Sequence, residues 1–183
     1  MNQLNSHLFE PVYKALKINL DTLGCIMLDV FPVKGIEIKE DWLYYTKDKK
    51  KFWIDGFTFN KIAHLTLLYG LLKSGQTWKK YVKAVLKGWE MDTIEIENIG
   101  YFNSPYKDEP YYCIVAHVKV TDLLMEGHQR LEFLPHINTF SGYKPHITLA
   151  YVKKDEKIRD SVIAMFNNMV GYKLPIKGLN YGK

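Results

Sequence analysis

The sequence predicts an α+β domain built mainly on antiparallel sheet. Apolar runs of strand length recur along the chain, and several follow one another with no helix between them. A few segments carry helical spacing instead. No Gly-rich phosphate loop follows any strand, so the pattern does not fit a doubly wound parallel sheet. The 183 residues suit one domain, or at most two small, tightly joined lobes.

Taken in order, Pro11 to Leu20 reads as a short helix, and Cys25 to Val30 (CIMLDV) as a buried strand stopped by Pro32. Asp41 to Asn60 mixes seven aromatic residues with the basic run Lys47 to Lys51, and its Asp55-Gly56 pair marks a hairpin turn. His64 to Leu72 is a strand. Thr77 to Trp89 has helical spacing, with Trp78, Tyr81, Val82, Val85, Leu86 and Trp89 on one face and Thr77 as N-cap. Strands follow at Thr93 to Phe102 and Tyr111 to Val120. Thr121 or Asp122 caps a helix over Leu123 to Leu134. His146 to Val152 is a strand, Asp155 to Val170 a helix, and Leu174 to Asn180 an edge strand.

Composition removes several classes. Hydrophobic residues are 47% and charged residues 25%, as in ordinary globular proteins, so disordered and low-complexity chains are excluded. Met1 to Glu10 is polar and lacks the basic-then-apolar order of a secretory signal, and no apolar run is long enough for a membrane helix. Cys25 and Cys113 each lie in an apolar run and read as buried free thiols of a reducing, cytoplasmic compartment. No metal-ligand spacing is present, so neither a metal nor another cofactor is expected. The net charge is +5, and only Arg130 and Arg159 among the 25 basic residues are arginines. A clamp of many arginines is thereby excluded. The charge steers polyanions without requiring a long nucleic acid.

The chemistry lies in a repeat. His64-Leu65-Thr66-Leu67-Leu68-Tyr69 recurs, 82 residues on, as His146-Ile147-Thr148-Leu149-Ala150-Tyr151. In a strand, residues i and i+2 share a face, so His64 points with Thr66 and His146 with Thr148. Leu65, Leu67, Ile147 and Leu149 point into the core. Tyr69 and Tyr151 share that parity unless a bulge intervenes, and are read as structural. Two facing imidazoles suit acid–base cleavage of a phosphodiester, because an unperturbed imidazole titrates near ~6.5 and can serve in either form at neutral pH. The neutral ring accepts the proton of an attacking hydroxyl and the protonated ring donates to the leaving oxygen. The threonine hydroxyls hold the non-bridging oxygens. The sequence does not say which histidine is the base. His7, His117, His128 and His136 have no threonine two residues on and are read as surface or core histidines.

At these residues the chain resembles the two-histidine (2H) phosphoesterase superfamily, whose signature is a pair of H-x-T/S motifs in two related lobes. The setting Tyr143-Lys144-Pro145-His146-Ile147-Thr148-Leu149-Ala150-Tyr151, the Tyr69-Gly70 pair, the chain length and the tail Gly178-Leu179-Asn180-Tyr181-Gly182 are similar to the phage anti-CBASS phosphodiesterases. Those enzymes degrade the cyclic di- and trinucleotides that bacteria use as antiphage alarm signals. The resemblance implies a bilobal fold of two pseudo-symmetric antiparallel lobes around a groove. It also implies metal-independent hydrolysis of 3′-5′ bonds and a cyclic di- or trinucleotide as partner. His64, Thr66, His146 and Thr148 carry over as catalytic residues. Base-stacking aromatics are expected, and Tyr13, Trp89 and Tyr181 are the candidates, each weighed against ordinary packing. Trp89 continues a helix's apolar face, whereas Tyr181 sits in a short tail with little core to join.

Two other functions share these residues. One is an RNA-processing 2H enzyme acting on 2′,3′-cyclic or 2′-5′ linked ends. The other is a non-catalytic nucleotide-binding module in which His and Thr only grip phosphate. A third reading makes Asp41 to Asn60 a nucleic-acid patch, against the simpler view of a solvated lysine run.

Overall fold

A computed structural model describes residues 23–31, 36–44, 63–138 and 142–182. The Pro11 to Leu20 helix, Tyr13, His7, the Lys47 to Lys51 run and the Asp55-Gly56 turn lie outside these residues.

Six strands form one antiparallel sheet: β1 (Gly24–Val30), β2 (Ala63–Leu71), β3 (Thr93–Asn103), β4 (Tyr111–Val118), β5 (His146–Lys153) and β6 (Lys173–Gly182), in the order β2-β1-β6-β3-β4-β5. Among the described residues three α-helices, α1 (Gly75–Val85), α2 (Asp122–Leu131) and α3 (Glu156–Phe166), join the sheet in an α+β fold. Their apolar stripes, including Val82, Leu124, Leu131, Val162 and Phe166, share one core with Ile26, Leu28, Leu65, Ile114, Ala116 and Ile147 of the sheet. None of these helices is long and apolar enough to cross a membrane.

The helix starts follow local chemistry. Thr121 Oγ1 accepts a hydrogen bond from Leu124 N at 3.2 Å, so of the two candidate caps of α2 it is the threonine that serves. Asp155 accepts from Lys157 N at 2.8 Å and Ile158 N at 3.0 Å, capping α3. α1 begins two residues before the expected Thr77, because Gly75 docks its backbone on β1. A methyl group there would lie 2.5 Å from the Cys25 carbonyl oxygen. α1 also stops at Val85, so Trp89 is not part of it. α3 ends at Phe166 and a 3-10 turn, Asn167–Met169, replaces its expected last turn.

β6 is not an edge strand. It pairs with β1 from Ile176 to Gly182 and with β3 only from Lys173 to Pro175. Pro175 has no N–H to give, yet its carbonyl accepts from Phe31 N at 3.1 Å, so it is accommodated where β6 passes from one neighbour to the other. The sheet therefore consists of two halves, β2-β1-β6 and β3-β4-β5, joined by three residue pairs.

The halves match in register. β1 reads Cys25-Ile26-Met27-Leu28-Asp29-Val30 and β4 reads Cys113-Ile114-Val115-Ala116-His117-Val118, so the middle strands repeat as the outer ones do. Asp29 faces His64 and His117 faces His146; Cys25 faces Tyr69 and Cys113 faces Tyr151. In the inner strands Tyr181 faces Ile26 and Tyr101 faces Ile114.

Each outer strand contains a bulge at the same place. Met27 faces Thr66 while Ile26 faces Leu68, which leaves Leu67 as the extra residue; Val115 faces Thr148 while Ile114 faces Ala150, which leaves Leu149. One extra residue inverts the alternation beyond it. The expectation that Tyr69 and Tyr151 point into the core is therefore corrected. Both share the face of the histidines and threonines, and Tyr69 is exposed.

The outer edges of the sheet are covered. Tyr44 N donates to Tyr151 O at 2.9 Å beside β5, and Ile137 N donates to Gly70 O at 2.9 Å beside β2. β2 and β5 also approach each other, so the sheet curls until its two ends meet.

Candidate functional site

The repeated motifs converge where β2 and β5 meet. His64, Thr66, His146 and Thr148 are all partly buried, while their neighbours Leu65, Leu67, Ile147 and Leu149 are fully buried. Alternation thus turns one set of side chains into the core and the other onto the opposite face. Within each strand the histidine and threonine lie about 7 Å apart. The two histidines are close enough for the charge of one to act on the other.

His146 is held in a defined tautomer. Its Nδ1 lies 2.9 Å from the Lys144 carbonyl oxygen. A carbonyl only accepts, so Nδ1 carries the proton and Nε2 carries the free lone pair. Burial pushes the imidazole below its ordinary value; the Lys144 hydrogen bond offsets part of this, and the charge of His64 adds to the lowering. The ring packs edge-on against Phe102 at 5.0 Å. A neutral, oriented imidazole of this kind is equipped to accept a proton.

The histidines have unlike neighbours. Asp29 faces His64 and accepts a hydrogen bond from Asn180 Nδ2 at 2.9 Å, which fixes its carboxylate on the motif face. The corresponding neighbour of His146 is His117. Burial lowers His117, His146 and Lys144 lower it further, and Glu97 partly opposes them. His117 lies over Gly100, where a methyl group would sit 2.8 Å from Nε2. One motif histidine thus faces an acid and the other a second histidine.

A cross-brace ties the two motifs together. Tyr143, three residues before His146, donates its hydroxyl to Thr66 O at 3.1 Å. His128 of α2 places Nδ1 2.6 Å from Leu67 O, the next carbonyl along the bulge. The two rings stack at 3.9 Å and 7°. Burial raises the Tyr143 phenol well above its ordinary value, so it remains a donor throughout the working pH range. Tyr143→Phe is expected to lower Tm by a few degrees, about 1 kcal/mol for one lost hydrogen bond. It should reduce kcat about tenfold through the displaced Thr66 while leaving KM nearly unchanged. Steady-state kinetics beside a thermal melt separates the two effects.

The remaining candidates fall elsewhere. Trp89 donates its indole N–H to Leu123 O at 2.8 Å and lays its ring against Gly127, where any side chain would collide with it. It locks the segment after α1 onto α2. Tyr181 is on the helix face of β6, with Lys79 of α1 5.3 Å above its ring. Tyr101, its counterpart in β3, carries Arg159 of α3 in the same way at 4.6 Å. Both tyrosines serve helix packing, and Tyr181 is not brought to the motifs. Cys25 and Cys113 are buried and form no disulfide with each other. Thr148 Oγ1 lies 3.9 Å from Cys113 Sγ.

Sequence reasoning passed over Asp29, His117, His128 and Tyr143. The fifth position of the C-I-x-x-x-V repeat carries the first two, and that repeat was the available signal. The contacts of His128 and Tyr143 are made to backbone carbonyls and leave no mark in the pattern.

No protein-family model matches the chain, and no curated protein matches it either. Among the described residues no three His, Cys, Asp or Glu side chains converge as a metal site.

Proposed function

We propose that the protein is a metal-independent phosphodiesterase of the two-histidine type that opens the 3′-5′ bonds of cyclic di- and trinucleotides. The observation that carries this reading is the meeting of two H-Φ-T strands, one of whose histidines is neutral and aims a free Nε2 away from its own backbone. The two matched halves of the sheet are then the two lobes of such an enzyme. A phage-encoded role, blocking a cyclic-nucleotide alarm in the bacterial cytoplasm, is the biological setting that the resemblance of the motifs favours.

In this mechanism His146 Nε2 removes the proton of a ribose 2′-OH. The oxygen attacks the adjacent phosphorus, and the P–O5′ bond breaks as His64 donates a proton to the departing oxygen. The product is one linear chain with a free 5′-OH at one end and a 2′,3′-cyclic phosphate at the other. Water then opens that ring with the two histidines exchanging roles. Asp29 is the residue that faces His64 across the β1–β2 pairing, and His117 the one that faces His146. Thr66 and Thr148 donate to the non-bridging oxygens as negative charge gathers on them. A substrate lacking the attacking 2′-OH is the test. It should be cleaved at least about a hundredfold more slowly, and undiminished cleavage would replace this route by direct attack of water.

The acid limb of the pH profile follows from His146. It works only when neutral, so kcat/KM falls as pH drops through its value in the free enzyme. Burial sets that value below the ordinary ~6.5. The rate should therefore hold as pH falls to 6.5 and decline below it, and a pH–rate series reads the limb directly.

A further inference from the structure

Beside His146 lies an open cavity of about 260 Å³, bounded by Glu97 and Asn98 of β3, His117 of β4, and Tyr143, Lys144 and Pro145 on the approach to β5. Its composition is unusual for a sheet surface. Consecutive strand residues normally point to opposite faces, yet Glu97 and Asn98 both line it. The cause is a bulge: Ile96 faces Val118 and Asn98 faces His117, so Glu97 is the extra residue. Bulges re-aim side chains in this way.

The polar groups specify what fits. Glu97 is an acceptor only, Lys144 a donor only, and Asn98 both. A phosphate is disfavoured by the Glu97 carboxylate. Val118 and Val120 complete the wall with Pro145, so a flat ring finds apolar contact there, but a wholly apolar ligand would strip water from Glu97, Asn98 and Lys144 without replacing their hydrogen bonds. A flat heterocycle with two adjacent N–H donors and a neighbouring carbonyl satisfies all of them. Among the common bases only guanine presents that edge, with N1–H and N2–H₂ side by side and O6 next to them. Adenine and cytosine would turn a ring-nitrogen lone pair toward the carboxylate, and uracil offers a single N–H between two carbonyls.

We infer that this cavity is a guanine subsite. In it Glu97 accepts from N1–H and N2–H₂, and Lys144 and Asn98 donate to O6, for the nucleotide whose phosphate lies at His64 and His146. The inference rests on the phosphodiesterase reading for its location, since Pro145 joins the cavity wall directly to His146. It adds a base preference that the motifs do not contain.

The test is equilibrium titration of guanosine and adenosine 5′-monophosphates, which share sugar and phosphate, into the native protein and into Glu97→Gln. Glu97 is exposed, so the variant keeps the fold. GMP should bind about tenfold more tightly than AMP to the native protein. In Glu97→Gln the ratio should fall to within about twofold, with AMP affinity little changed. Equal affinities in the native protein, no binding of either nucleotide, or a guanine preference that survives Glu97→Gln would each overturn the subsite. Cyclic-nucleotide cleavage without a Glu97-dependent preference removes the subsite and leaves the enzyme. A Glu97-dependent preference without cleavage removes the enzyme and leaves the subsite.

Discussion

Replacing His146 by alanine is expected to lower cyclic-dinucleotide cleavage by about a thousandfold, within the span general bases contribute. The structure gives a specific reason. His146 is neutral, its proton is held on Nδ1 by the Lys144 carbonyl, and its remaining lone pair has no backbone partner. His117, directly opposite, has its Nε2 over Gly100 rather than toward β2, so it is not placed to replace the lost base. His64→Ala should cost a similar factor. The double variant should lose only about tenfold more than either single one, because acid and base act on one proton-transfer sequence and do not add. Circular dichroism of each variant should match the native protein, since both rings are only partly buried. Loss of less than about tenfold for either single variant would remove that histidine from the reaction.

The largest effect on stability is expected at Gly70. This residue is the extra member of a second bulge in β2, between the Cys25–Tyr69 and Gly24–Leu71 pairs, with φ at 95°. An L-residue is strained there, by about 1–3 kcal/mol. A methyl group would also collide with the Ile137 carbonyl oxygen. Relieving the collision pulls away the segment that covers the outer edge of β2, where Ile137 N donates to Gly70 O at 2.9 Å and Leu72 N to Pro135 O at 3.2 Å. Gly70→Ala should therefore destabilise the fold by about 3 kcal/mol, strain plus about one net hydrogen bond. Urea unfolding should show a lower midpoint with little change in slope. A change within about 0.5 kcal/mol, the scatter of neutral surface substitutions, would contradict this account of the turn.

Much of the fold was legible. Apolar strand runs placed β1, β2, β4 and β5 to within a residue or two, because each is buried on at least one face and its composition says so. Thr121, one of two candidate caps, marked the start of α2 through side-chain capping, which is local chemistry. The start of α1 was misplaced because Gly75 answers to a distant strand rather than to its own turn. β6 looked like an edge because it is polar and contains a proline. Its central place comes from pairing with β1 and β3, which no local pattern records. For the site, the H-Φ-T repeat was visible because strand alternation writes itself directly into sequence. Tyr69 and Tyr151 were misread because a single bulged leucine inverts that alternation without altering composition. Trp89 and Tyr181 were drawn to helix packing by Gly127 and Lys79, partners that are remote in the chain.

The central claim is that two histidines from matched strands carry out phosphodiester cleavage. Its most direct test is chromatography of the products after native protein is incubated with a 3′,5′-linked cyclic dinucleotide in EDTA, with the His64→Ala, His146→Ala double variant alongside. The account predicts linear dinucleotide and mononucleotide products from the native protein and an intact ring with the variant. A ring left intact by the native protein, or opened equally by the variant, would contradict it.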